Sequence, residues 1–323
     1  MQETEITKQT DVVALGELLI DFTENGVSNQ GNPLFEANPG GAPCNVLAML
    51  TKLGHKTAFI GKVGKDFFGT QLKEAIEQVG ISSDYLYMDE QVHTTLALVH
   101  TFPDGDRDFS FYRNPGADMM LTEEEISEEL IQNARIFHFG TLSMTHNGVR
   151  KATKKAIRIA EQANVLISFD PNLRPPLWDS LEDAREQVLY GLGHCQILKI
   201  SDNEIQWLTG ESDFTKGVEW ILERYEIPLI LVSMGKQGSR AYYGNFMVER
   251  QPFLQKNTIE TTGAGDTFCG CILHYILEHG IDNLKGSNLK DMLTFANSAA
   301  SLITTKKGAL RVMPSREEIE ANI

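Results

Sequence analysis

The sequence predicts an α/β fold, a doubly wound and mostly parallel sheet flanked by helices, with a small β-sheet lid. Three observations carry this expectation. Short apolar runs alternate with helical patterns almost from end to end, as βα units require. The runs are continuous rather than alternating, which suits strands covered on both faces. One region, residues 94–113, breaks the rhythm with two alternating stretches around a turn signal.

In chain order, DVVAL (11–15) is the first buried strand. ELLIDFTE (17–24) is extended, precedes a loop rich in Asn and Gly, and fits no βαβ unit. Gly40 and Gly41 open a helix over 42–53, and TAFIGKV (57–63) is the next buried strand. DFFGTQLKEAIEQVG (66–80) sets Phe68, Leu72, Ile76 and Val79 on one helical face and stops at Gly80. TTLALVHTF (94–102), PDGD (103–106) and RDFSFYR (107–113) form a hairpin. Together with 17–24 it is expected to pair outside the main sheet. The lid then comprises segments of about 17–38 and 92–115; the plainer alternative is an edge hairpin on the main sheet. RIFHFG (135–140), VLISFD (165–170), QILKIS (196–201) and LILVSMG (229–235) complete the buried strands, with a basic-faced helix over 147–163. No repeat or Pro/Gly/Ser-rich linker divides the chain, so 1–323 is expected to be a single domain.

The 323 residues carry 29 Lys and Arg against 44 Asp and Glu, a net charge of −15. That balance excludes a nucleic-acid footprint and an anionic membrane surface as partners. Cys44, Cys195, Cys269 and Cys271 lie among apolar residues and are too few for a disulfide scaffold. No second Cys/His pair accompanies Cys269 and Cys271 at zinc spacing, so all four read as core residues in a reducing compartment. The polar N-terminus shows no signal pattern and no run of 18 apolar residues occurs, so a cytoplasmic location is expected.

The chemistry concentrates in ETTGAGDTFCGCIL (260–273). Phe268, Cys271, Ile272, Tyr275 and Ile276 follow helical spacing and Gly280 ends the pattern, so residues 263–266 form a first turn. Its N–H groups lack internal partners, and glycines there let an anion approach the backbone. An aspartate in that turn has two explanations. As a helix-start stabiliser Asp266 contributes about 0.3–1 kcal/mol. The two glycines, each costing roughly 1 kcal/mol against alanine, do not serve that purpose. Phosphoryl transfer to an alcohol needs both features, an anion cradle and a base that accepts the hydroxyl proton. Neither a P-loop nor a dinucleotide fingerprint is present: Gly64-Lys65 and Gly235-Lys236 lack the following Ser or Thr, and no G-x-G-x-x-G occurs. Further polar residues gather where the strands end, with Asp170, Asn172 and Arg174, then Ser201 and Glu204, then Ser233 and Gly235.

At these motifs the chain resembles the ribokinase-like (PfkB) family of carbohydrate kinases. The resemblance rests on PGGAPCNVLAMLTKLG (39–54), GKVGKDFFG (61–69), FYRNPGADMML (111–121), DPNLRP (170–175), SDNEIQWLTG (201–210), TTGAGDTFCGCIL (261–273) and ANSAASLITTKKGA (296–309), in family order. GELLIDF (16–22) and the YRNPGADM block are most similar to the fructokinase branch. The resemblance implies an ATP-dependent sugar kinase with Asp266 as base and Gly263, Ala264 and Gly265 as anion hole. It assigns sugar hydroxyls to Asp21, Gly40, Gly41 and Asn45, and closure over the substrate to Arg113. The ATP site falls to Lys199, Ser201, Ser233, Gly235, Gly238 and Asn297, and Mg²⁺, through water, to Glu204. Arg174 is equally compatible with contact to substrate or phosphate and with a local ion pair. Ser201 stands where many members have Asn. Glu260 stands where many have an Asp linked to a monovalent-cation site, so K⁺ is an optional further ion.

The expected reaction is fructose to fructose 6-phosphate. Ribose, 2-keto-3-deoxygluconate, a nucleoside or a sugar phosphate are alternative acceptors, and a non-catalytic sugar-binding regulator is the alternative of another class. Asp21 at a substrate position favours an uncharged sugar. An exposed apolar lid face of Leu96, Leu98, Phe109 and Phe111 would favour a homodimer through the lid; the alternative is packing on the chain's own body.

Overall fold

The computed structural model describes residues 8–101 and 107–323. Within them the strands are β1 Thr10–Leu15, β2 Leu19–Val27, β3 Pro33–Gly40, β4 Thr57–Gly64, β5 Ser82–Asp89, β6 Leu96–Thr101, β7 Arg107–Tyr112, β8 Ala134–Gly140, β9 Leu166–Asp170, β10 Ile197–Ser201, β11 Leu229–Ser233, β12 Ser239–Tyr243 and β13 Phe246–Arg250. The main sheet runs β13-β12-β11-β10-β9-β8-β1-β4-β5. From β11 to β5 all neighbours are parallel, and β12 and β13 add an antiparallel hairpin at one edge. The winding reverses between β1 and β8, the position where open α/β sheets leave a crevice beyond their strand ends.

Alternation of side chains explains why the strands read as unbroken apolar runs. In β1, Val12 and Ala14 enter one core cluster, while Val13 and Leu15 enter the other. The first cluster is covered by helices Ala42–Lys52, Phe67–Gln78, Ala264–His279 and Gly286–Ile303; Asn147–Gln162, Leu181–Leu192, Asp202–Thr209 and Phe214–Leu222 cover the second. Burying a Leu or Ile side chain such as Leu72 or Ile76 contributes roughly 1.5–3 kcal/mol. All four cysteines are buried and free, as expected of core residues.

The extended pieces outside the βα rhythm form a separate four-stranded sheet, β3-β2-β6-β7, rather than an edge of the main one. Its β2 and β6 are parallel, with Asp21 beside Ala97; β3 pairs antiparallel with β2, setting Asn38 opposite Asp21. The Asn- and Gly-rich stretch after β2 is therefore a tight turn into β3 rather than a long loop. Pro33 and Pro39 in β3 hid it, since proline in a run argues against a strand unless it sits at an edge, as it does here. The expected PDGD turn lies outside the described residues. Leu96, Leu98 and Phe111 are half-buried rather than exposed, with Leu96 packed on the first core cluster. Exposed large apolar side chains on this sheet are instead Val27, Leu34, Phe35 and Tyr112.

Asp66, the N-cap of helix Phe67–Gln78, ties the root of the small sheet to the body. Its carboxylate accepts from Gly69 N and Thr94 N at 2.8 Å and from Thr94 Oγ1 at 2.7 Å. The last predicted strand ends two residues early, at Ser233, because Gly235 turns with φ 51°. No helix among the described residues is long and apolar enough to cross a membrane.

Candidate active site

Helix Ala264–His279 begins on Gly263, whose φ of 74° suits glycine, and an added Cβ there would meet Ala309 Cβ at 2.5 Å. The first helical bond runs from Thr267 N to Gly263 O at 2.8 Å. Ala264 N–H is spent on Thr261 O at 3.3 Å. The amides of Gly265 and Asp266 have no backbone partner among the described residues. Of the three residues expected to cradle an anion, Ala264 therefore contributes a wall rather than a free N–H.

Asn45, on helix Ala42–Lys52, donates from Nδ2 to Asp266 Oδ2 at 2.8 Å, which fixes the carboxylate's direction. Asn45 Oδ1 is buried and has no partner among the described residues. Burial pushes the Asp266 carboxyl above its ordinary range, against the pull of the Asn45 hydrogen bond, the Lys199 ammonium and the Arg174 guanidinium. Gly41 lets helix Ala42–Lys52 start here: it sits at φ 129°, and an added Cβ would collide with the Glu17 carbonyl.

Beneath the turn lies a buried cation. Lys199 Nζ is 2.9 Å from Asp170 Oδ2 and 3.3 Å from where a Cβ on Gly265 would stand. Burial opposes its charge, but Asp170, Glu204 and Asp266 outweigh that and hold the ammonium above its ordinary range. Asp170 is pushed up to about 6 by burial, with Lys199 pulling it back. Its Oδ1 accepts from Asn172 N at 3.2 Å, and Asn172 adopts φ 43°, a conformation asparagine tolerates; this Asx turn aims the segment that carries Arg174. Arg174 bonds only the Leu173 carbonyl, at 3.1 Å, and has no carboxylate partner among the described residues. A local ion pair does not account for it.

Two cavities meet at the turn. A cleft of about 590 Å³, within the range of small-molecule sites, brings together Ser233, Gly235, Gly238 and Asn297 with Thr261, Ala264 and Gly265. A small pocket on the lid side is lined by Asp21, Gly40, Asn38, Glu260, Thr262 and Ala309. The segment 260–265 runs between them, Thr261, Ala264 and Gly265 lining the cleft and Glu260 and Thr262 the pocket, while Asp266 lines neither.

Several expected site residues are engaged elsewhere. Arg113 does not reach over the pocket: it is buried, donating from Nε to Asp118 at 2.8 Å, from Nη1 to Thr145 Oγ1 and from Nη2 to the Leu142 carbonyl, both at 2.9 Å. Ser201 and Glu204 form the capping box of helix Asp202–Thr209, and Glu204 Oε1 also accepts from Leu173 N at 2.8 Å. Neither lines the cleft, and Lys199 lies behind it. Asn297 shapes its wall, accepting from Ser239 Oγ at 2.9 Å and donating to the Arg250 and Gln251 carbonyls. Lys236 and Gln255 also line the cleft and went unnoticed in the sequence, where no motif marks them.

Glu17 was missed as well. Between β1 and β2 it is 4% exposed and accepts from Ala42 N at 2.9 Å. Burial, with Asp118 adding to it, pushes its carboxyl up to about 7 from 4.5. A group whose folded pKa is raised favours folding fully below the unfolded value, and that contribution is lost as pH rises through the folded one. Between pH 4.5 and 7 the wild type should therefore lose about 3 kcal/mol relative to Glu17→Gln. Urea denaturation of both at pH 5 and pH 8 checks this; parallel pH dependences would contradict it.

The pfkB family carbohydrate kinase pattern matches residues 9–316. A probable fructokinase-4 of Arabidopsis thaliana is 38% identical over 312 residues, covering 96% of this chain and 95% of that protein. The crystal structure of a fructokinase with bound ATP from Xylella fastidiosa superposes with a TM-score of 0.88 at 28% identity, covering 98% of each chain. A fructokinase from Vibrio cholerae O395, in a form with fructose, ADP and calcium ion bound, gives 0.87 at 28% identity over 97% of this chain and 98% of that one.

Proposed function

Because the chain belongs to the pfkB family of carbohydrate kinases, we propose that it transfers the γ-phosphoryl group of ATP to the primary hydroxyl of free fructose, giving fructose 6-phosphate. The observation that carries this reading is the segment 260–265, which lines the cleft through Thr261, Ala264 and Gly265 and the small pocket through Glu260 and Thr262. A nucleotide in the cleft and a sugar under the lid would meet only at that turn, where Asp266 stands oriented by Asn45. The whole chain then acts as one kinase domain with β2, β3, β6 and β7 as its lid.

In the proposed step the sugar's 6-hydroxyl oxygen attacks the γ-phosphorus, the bond from that phosphorus to the β,γ-bridging oxygen breaks, and Asp266 takes the hydroxyl proton. A carboxylate is a weak base, which suffices where the transition state is loose and the proton moves late. Its raised pKa improves the match. The amides of Gly265 and Asp266 face the charge of the transferring group, with Lys199 close behind. Arg174, with no ion pair among the described residues, supplies a second cation on the rim. The unpartnered Asn45 Oδ1 accepts a sugar hydroxyl, as does the Asp21 carboxylate, which lies against Gly40.

No group of three or more His, Cys, Asp or Glu among the described residues could hold a metal ion. Glu204, whose carboxylate accepts from Leu173 N and Ser201 Oγ, would hold Mg²⁺ through water. Such an ion would neutralise phosphate charge. The K⁺ reading rests on the segment around Glu260, which accepts from Gly308 N at 2.7 Å.

An anionic pocket group favours an uncharged polyol over a sugar phosphate, and the named relatives are fructokinases. ADP release over fructose, ribose, 2-keto-3-deoxygluconate, a nucleoside and fructose 6-phosphate tests the acceptor. The highest kcat/KM is expected for fructose. A higher value for another sugar reassigns the acceptor, and no sugar-dependent release at all leaves a non-catalytic regulator.

A further inference from the structure

The far wall of the cleft holds a hydrogen-bond network that fixes one side-chain amide. Gln255, Ser298, Ser301 and Asn322 come from the segment after β13, helix Gly286–Ile303 and the chain's C-terminal end. Ser298 Oγ donates to the Ile319 carbonyl at 2.9 Å and Ser301 Oγ to the Ser298 carbonyl at 2.8 Å. Asn322 Nδ2 donates to both hydroxyl oxygens, at 3.0 and 3.2 Å. Gln255 Nε2 donates to Ser301 Oγ and to Asn322 Oδ1, each at 3.1 Å.

Every hydrogen of these two amides and two hydroxyls is used once, and Ser301 Oγ has both lone pairs filled. Turning the Gln255 amide over would set its oxygen against Asn322 Oδ1. Turning both amides would pull the Ser298 and Ser301 hydroxyls off the Ile319 and Ser298 carbonyls that they now serve. The network as it stands favours the orientation in which Gln255 Oε1 is the amide atom left without a partner among the described residues. The neighbouring hydroxyls are spent likewise, Thr304 Oγ1 on the Ser301 carbonyl at 2.7 Å and Thr258 Oγ1 on the Gln255 carbonyl at 3.2 Å. Phe253, Leu254 and Ala300 give this end of the cleft apolar surface suited to a flat base, and its directed polar groups are acceptors.

Resting on the nucleotide reading above, we propose that Gln255 selects the base: its Oε1 accepts a hydrogen bond from the exocyclic amino group of adenine. A base with a carbonyl at that position would set oxygen against oxygen and leave the acceptor unmade. The selectivity is thus written in Asn322, which holds Gln255 in place without touching the nucleotide.

Calorimetric titration of the full chain with ADP and with IDP, whose base carries oxygen where adenine carries the amino group, tests this. The wild type should bind IDP at least about tenfold more weakly than ADP. In Gln255→Leu that ratio should fall close to one. In Asn322→Ala, where the amide is free to turn over, IDP should gain on ADP while fructose KM stays unchanged. Equal ADP and IDP affinities in the wild type, or a ratio untouched in folded Gln255→Leu, would overturn the assignment and leave the kinase reading standing. Failure of both nucleotides to bind would remove both.

Discussion

Asp266→Asn should lower kcat by about three orders of magnitude, within the usual range for a lost general base, while fructose still binds. Asparagine has the same shape, and its side-chain oxygen can still accept from Asn45 Nδ2, so the helix start and both cavities should persist. What disappears is the proton acceptor. The amides of Gly265 and Asp266 and the Lys199 ammonium remain, so residual turnover above the uncatalysed rate is expected. Removing a carboxylate that burial disfavours should also leave the fold no less stable. Steady-state rates of ADP formation, with fructose binding measured separately by calorimetry, check both halves. Turnover within tenfold of wild type would take Asp266 out of the mechanism.

Arg113→Ala should cost about 3–5 kcal/mol of stability, the usual consequence of leaving one member of a buried ion pair alone. The Arg113 and Asp118 side chains are each 2% exposed, and Asp118 also accepts from Thr95 Oγ1. Without the guanidinium, the buried carboxylate loses its counter-charge and keeps only Thr95 Oγ1 as a side-chain donor among the described residues, and the Leu142 carbonyl keeps Thr145 Oγ1 but loses the Arg113 donor. Against the 5–15 kcal/mol typical of a folded domain this is a large fraction. Replacing the pair together, as Arg113→Met with Asp118→Leu, should recover most of it, because no unpaired charge then remains. A substrate clamp would behave differently, raising fructose KM with stability intact, and that result in denaturant titrations would restore the role the sequence suggested.

Arg113 shows where sequence reading stops. Its position beside the lid hairpin was legible, because alternation and a turn signal mark the strands; its direction depends on Asp118, Thr145 and Leu142, brought together only by the fold. The strand β1 and its parallel neighbours were readable for the opposite reason. A strand buried on both faces needs apolar residues at every position, and Val12 to Leu15 supply them. The turn at 263–266 was legible because glycines at a helix start have few other uses, whereas Asn45 as the partner of Asp266 is a contact across 221 residues of sequence. Glu204 and Ser201 carried the spacing of a site motif and also that of a capping box; the folded chain forms the second, and the first is the metal role proposed above. Gln255 and Glu17 left no signal, since their roles arise from networks assembled out of distant segments.

The central claim is that one helix start holds an acid-base group between a sugar and a nucleotide. A crystal structure of the complex with fructose and a non-hydrolysable ATP analogue measures that directly. The fructose 6-hydroxyl should lie within about 3.2 Å of an Asp266 carboxylate oxygen, with the terminal phosphate at the amides of Gly265 and Asp266. A 6-hydroxyl beyond about 5 Å from that carboxylate, or a terminal phosphate away from those two amides, would contradict the account.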